Sequence, residues 1–187
     1  MDSFLWTFVL VFAIALGGRE QLLIAQFSQN LQKSWALLFT AAVCAVASAA
    51  LLASAGALMA AILPQRAAEM LMAFALGFAA IELFWPVRVR TMREPTRSLI
   101  AIGTVLFARQ AMDAARFVIF AFAAEAIAPV HAFAGGALGG IAAAALGWAL
   151  GASRLARFPL RAARIAMGSV LLLAALLIGL NARFVFL

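Results

Sequence analysis

Arg109, Asp113 and Arg116 stand at i, i+4 and i+7 within an otherwise apolar run. On an unbroken helix they share one face. Each guanidinium offers planar, bidentate donors, so Asp113 is expected to pair with at least one of the two arginines. Gln110 adds a neutral coordinating group beside them. A second polar cluster, Gly17-Gly18-Arg19-Glu20-Gln21, interrupts another apolar run. Consecutive glycines let a helix unwind and free backbone carbonyls for a ligand, with Glu20 and Gln21 close by to add side-chain oxygens. On a continuous helix Glu20 would instead point about 140° away from Ala15. Ionisable groups inside hydrocarbon are costly and usually mark the path of an ion, proton or substrate. The alternative is a structural ion cluster. No Ser/His/Asp or Cys/His constellation, paired-carboxylate site or phosphate-binding glycine loop is legible. No enzyme and no cofactor are therefore expected.

Membrane spans are the elements that must hold these residues. Hydrophobic residues make up 67% of the 187, charged residues 11%, and mean hydropathy is +1.10. A soluble domain of this length needs far more polar surface. A crossing helix needs about 20 apolar residues. Six stretches qualify, roughly Phe4–Phe27, Trp35–Leu63, Ala67–Trp85, Ser98–Ala124, Val130–Ala152 and Ile165–Leu187. Only the first and fourth contain polar clusters. Asp2 stands where a signal peptide would be basic, so the first stretch reads as an uncleaved span. Short connections make one all-α, six-span bundle, a single membrane domain over 1–187. The small-residue runs Ala41–Gly56 and Ala134–Gly147 permit close helix approach within it.

The chain also repeats itself at an offset of 95 residues. Pro64-Gln65-Arg66-Ala67-Ala68 and Met72 return as Pro159-Leu160-Arg161-Ala162-Ala163 and Met167. The same register pairs Phe12 with Phe107, Ile24 with Ile119 and Gly56 with Gly151. Residues 1–92 thus match 96–187, three spans each, and halves with an odd number of spans face opposite sides of the bilayer. The expected architecture is a 3+3 inverted repeat whose halves superpose by a rotation of about 180°. The first and fourth spans should then cross near mid-membrane and bring Gly17–Gln21 to Gln110–Asp113.

Charge gives the orientation. The formal net charge is +7. Lys33, Arg88, Arg90, Arg93, Arg97, Arg154, Arg157, Arg161 and Arg164 fall in or beside the loops of one side, against Arg66 and Arg183 on the other. Basic short loops mark the cytoplasmic face, so both termini are expected to be non-cytoplasmic. This distribution explains the charge without nucleic acid. A bacterial inner membrane is the expected location and the lipid bilayer the expected partner. Cys44 is alone and reads as a small packed side chain. Glu82 and Glu125 read as interface residues, and His131 as a loop residue near the membrane surface.

Phe12 to Leu23 resembles the signature of the GDT-type family of Golgi and bacterial calcium/manganese–proton exchangers. That family carries two copies of Glu-x-Gly-Asp-(Lys/Arg)-(Ser/Thr)-Gln, each in the first span of a three-span repeat. Gly17, Arg19 and Gln21 match, whereas Ala15 and Gly18 stand at the acidic positions and Glu20 at the hydroxyl position. In the second copy Asp113 keeps its place, Gln110 replaces the Glu, Met112 the Gly, and Ala114 and Ala115 the basic and hydroxyl residues. The resemblance implies a secondary transporter exchanging manganese or calcium for protons, with Glu20 and Asp113 as the remaining metal-binding carboxylates. Gly17, Gly18, Arg19, Glu20, Gln21, Arg109, Gln110, Asp113 and Arg116 are the transport-site candidates. Calcium and manganese favour several oxygens with balancing carboxylates, and most of the acidic set is missing here. Two alternatives stay open: a small six-span exporter of amino acids or anions, and a non-transporting membrane subunit that retains the fold. An exporter of anions should leave an arginine facing a cavity, and a packing subunit should enclose Asp113 between Arg109 and Arg116.

Overall fold

A computed structural model describes residues 2–31, 33–87, 98–125 and 128–184. The described residues form eight helices: α1 Asp2–Ala15, α2 Arg19–Asn30, α3 Trp35–Ala60, α4 Gln65–Phe84, α5 Leu99–Ala111, α6 Ala114–Glu125, α7 Pro129–Leu155 and α8 Leu160–Phe184. The all-α expectation holds among the described residues, and a helix satisfies its own backbone groups where hydrocarbon offers them no other partner. α3, α4, α7 and α8 are each long and apolar enough to cross a membrane, and α1 with α2 makes a fifth candidate, bent by 64° at its break. The chain is an integral membrane protein on these grounds. α5 is apolar but has 13 residues, shorter than a crossing requires.

Two expected spans are not continuous helices. The stretch Phe4–Phe27 breaks between Ala15 and Arg19, and Ser98–Ala124 breaks at Met112-Asp113. The other four keep their identity with small shifts of boundary. Residues 185–187 of the last stretch, and Arg88, Arg90, Arg93 and Arg97, lie outside the described residues. Prolines set the same start in both halves: Pro64 precedes α4 and Pro159 precedes α8. Their ring fixes φ near the helical value and removes an N–H that a helix start cannot use. Every element of the first half has a counterpart about 95 residues on, and α6 begins and ends at the register of α2.

Packing places the two breaks inside. α7 lies against α1, α2, α3 and α6, while α4 and α8 form the broadest helix pair. α1 lies close on α7 because Gly139 leaves the Phe8 carbonyl and Val11 no side chain to meet. This is the close approach expected from the small-residue run. α3 rests on α6 as α7 rests on α2. Gly56 of α3 meets Phe120, Ala123 and Ala124 of α6, and its counterpart Gly151 of α7 meets Gln29 of α2. Val11, Ile14, Met72, Leu76, Val118, Ile119 and Leu171 belong to one apolar core around these contacts.

Three placements correct the sequence expectations. His131 lies in the first turn of α7, exposed, rather than in a loop. Arg164 is not a loop charge: α8 begins at Leu160, so position 164 is one turn into the helix and buried. Arg109 and Arg116 do not share a face, because the helix ends between them. Cys44 is buried, with Sγ 3.4 Å from the Gly103 carbonyl, as a packed small residue should be.

Candidate functional site

The first break is a tight turn, Ala15 to Gly18, closed by Gly18 N–H donating to the Ala15 carbonyl at 3.0 Å. Gly17 occupies its third position at φ +67, a left-handed conformation that glycine adopts without a Cβ penalty. Gln21 completes it. Its Oε1 accepts from Gly17 N–H at 2.8 Å, and its Nε2 donates to the Ala143 carbonyl of α7 at 3.0 Å. Gly147 lies directly over the Gln21 side chain and leaves room for it. The unwinding expected at the glycine pair is therefore present, and both terminal atoms of Gln21 help to hold it.

The second break is built differently. Met112 has φ −109 and ψ 10, and Asp113 N–H donates to the Gln110 carbonyl at 3.2 Å. The Asp113 carbonyl then accepts from Arg116 N–H at 2.9 Å as α6 begins. A side chain from another helix caps it: Glu82 of α4 accepts from Ala114 N–H through Oε2 at 2.9 Å. Anionic groups at helix N-termini satisfy unpaired N–H groups and complement the helix dipole. Arg164 of α8 supports this cap by donating from Nη2 to the Glu82 carbonyl at 3.2 Å.

Beyond the second break, Arg116 turns inward and is 1% exposed, the largest of the fully buried side chains. Its Nε donates to Ser48 Oγ of α3 at 3.0 Å, and Ser48 Oγ donates to Gln110 Oε1 at 3.2 Å. Arg116 Nη2 is buried without a hydrogen-bond partner. Glu20 Oε1 is buried and unpartnered as well. Both side chains line one narrow cavity, together with Gly18, Gln21, Gln110, Asp113 and Gly140. The space suits about one water molecule. Glu20 lies within electrostatic reach of Asp113, Arg116 and Glu82, with the Gln110 side chain as a neighbour.

Most sequence candidates meet there. Gly18, Glu20, Gln21, Gln110, Asp113 and Arg116 surround the cavity, and Gly17 forms the turn beside it. Arg19 and Arg109 do not line it. Arg19 is exposed on an open groove with Glu82, Trp85 and Met112, and Arg109 is exposed on α5. Asp113 forms no ion pair with Arg109 or Arg116 among the described residues, contrary to expectation. The break sets Asp113 beside the Glu82 carboxyl and turns Arg116 toward α3. Among the described residues no group of three or more His, Cys, Asp or Glu side chains is placed to hold a metal ion. Glu20 and Asp113 thus stand as two carboxylates with amide and guanidinium neighbours.

Ser48, Glu82, Gly140 and Arg164 support the site and were not among the sequence candidates. The repeat register contains the signal for Ser48. In the 95-residue register position 21 corresponds to 116 and position 48 to 143, and the structure sets Gln21 against Ala143 and Arg116 against Ser48. No family model, no curated protein and no solved structure matches the chain.

Proposed function

We propose that the chain is a secondary transporter exchanging a cation for protons at the cavity between the two helix breaks. One observation carries the reading: Glu20 and Asp113, from opposite halves, line the same narrow cavity around Arg116, whose Nη2 has no hydrogen-bond partner. Carboxylates that a cation and a proton can occupy in turn are the minimal chemistry of such an exchanger. Broken helices meeting at a polar centre are a recurrent form of transporter site. The resemblance of Gly17, Arg19, Gln21 and Asp113 to the GDT-type motif makes manganese and calcium the first cations to test.

The architecture that goes with this reading takes α5 and α6 as a broken sixth span. The paired contacts of Gln21 with Ala143 and Arg116 with Ser48, and of Gly56 with α6 and Gly151 with α2, support a 3+3 inverted repeat. A side chain built on Gly140 would lie 3.4 Å from the Cβ of Ala45, its partner in register, so α3 and α7 touch near the axis such a repeat requires. Basic residues at Lys33, Arg154, Arg157 and Arg161 support non-cytoplasmic termini, in an inner membrane of bacterial type.

A second reading, export of small anions or amino acids, is favoured by Arg116 Nη2 facing the cavity unpaired. It ranks behind because two carboxylates share that cavity with one guanidinium. Purified protein in proteoliposomes distinguishes the two. Cation addition should drive proton movement in the wild type, and Glu20→Gln and Asp113→Asn should each reduce it at least tenfold while the protein still purifies as a folded monodisperse sample. If both variants match the wild type, or only anions move, the cation-exchange reading is wrong.

A further inference from the structure

The cavity has a charge composition that selects the valence of its cargo. Glu20 and Asp113 bring two negative charges and Arg116 one positive charge, all on its lining. The neighbouring carboxylate, Glu82, caps Ala114 N–H and has the Arg164 guanidinium within electrostatic reach, and Arg19 is exposed on the open groove outside. A guanidinium is a fixed positive charge in proteins. Ser48 Oγ at 3.0 Å and Gly140 hold it in place; a side chain on Gly140 would come within 3.1 Å of Nη2 and 3.4 Å of Nη1. The guanidinium therefore packs closely over Gly140, where a side chain would crowd it.

We infer that Arg116 is a built-in counter-cation, and that the transported species at this site is a monovalent cation rather than a divalent one. The inference rests on the exchange reading above and narrows its substrate class. One added positive charge neutralises Glu20, Asp113 and Arg116 together. A divalent ion would leave one uncompensated positive charge in a low-dielectric cavity, which is a large penalty. A single proton carries the same charge as a monovalent cation, so one-for-one exchange keeps the cavity neutral at each half-cycle. The internal repeat shows what the same position looks like without the charge: Gln21, the counterpart of Arg116, is neutral and points at the equivalent place on α7. Arg116→Gln then raises the formal cavity charge to two negatives, which a divalent ion neutralises.

The test uses the full chain in proteoliposomes containing a pH-sensitive dye, with sodium, potassium, manganese or calcium chloride added outside. Wild-type protein should move protons at least tenfold faster with sodium or potassium than with manganese or calcium. Arg116→Gln should raise the manganese or calcium response at least tenfold relative to the monovalent one, and Arg116→Lys should keep the monovalent preference whatever its rate. Wild-type transport of manganese or calcium as fast as of monovalent cations overturns the inference and leaves the exchange reading intact. Arg116→Gln with unchanged selectivity overturns it too. No proton movement with any cation sinks both. If Arg116→Gln fails to fold, the wild-type selectivity alone still decides.

Discussion

The two helix breaks occupy the same register and are made by opposite means. The first is local: Gly17 supplies the left-handed turn, and Gln21, four residues on, supplies the acceptor for its N–H. The second has no left-handed residue; Glu82, 32 residues earlier in the chain, reaches across from α4 to cap α6. One break is therefore held by backbone chemistry and the other by a tertiary contact. Both terminal atoms of Gln21 are engaged in holding its turn, whereas Nη2 of Arg116, its counterpart in register, has no partner.

Substitutions at the two breaks should follow this division, and thermal unfolding of detergent-purified protein reads the order. Gln21→Ala is expected to have the largest effect, about 3 kcal/mol, because it leaves both Gly17 N–H and the Ala143 carbonyl without their partner in a buried place. Gly17→Ala comes next, at about 2 kcal/mol. It forces a side chain into φ +67, and its Cβ would lie 3.1 Å from that of Leu160. Glu82→Gln should cost about 1 kcal/mol, since an amide oxygen still accepts from Ala114 N–H but no longer carries the charge that suits a helix N-terminus. Met112→Ala should leave the melting temperature unchanged, because Met112 is 80% exposed and its φ is negative. A second break as sensitive at Met112 as the first is at Gly17 would remove the distinction. A Glu82→Gln effect larger than that of Gly17→Ala would reverse it.

The same contrast accounts for what was legible in the sequence. The glycine pair is a signal carried on its own residues, so the first break was readable at Gly17-Gly18. The second depends on Glu82, which the sequence shows only as an acid in an apolar span. The i, i+4, i+7 spacing of Arg109, Asp113 and Arg116 assumed a continuous helix, and the break at Met112-Asp113 cancels that geometry. Arg164 was counted among loop charges because hydropathy cannot see that Pro159 starts α8 five residues earlier. The repeat register was more informative than any single motif: it matches the helix starts after Pro64 and Pro159, and it pairs Gln21 with Arg116 as the two residues that clamp α7 and α3.

The exchange of clamps between halves has a consequence for how the chain is made. Ser48 is synthesised before Arg116, so α6 is laid down against a helix that already presents its acceptor. Gln21 has no such advantage, because the carbonyl it needs belongs to Ala143, 122 residues downstream. During synthesis the first turn, although the earliest part of the site to leave the ribosome, must wait with one amide unanswered until α7 has entered the bilayer. The oldest segment of the cavity is the last to lock.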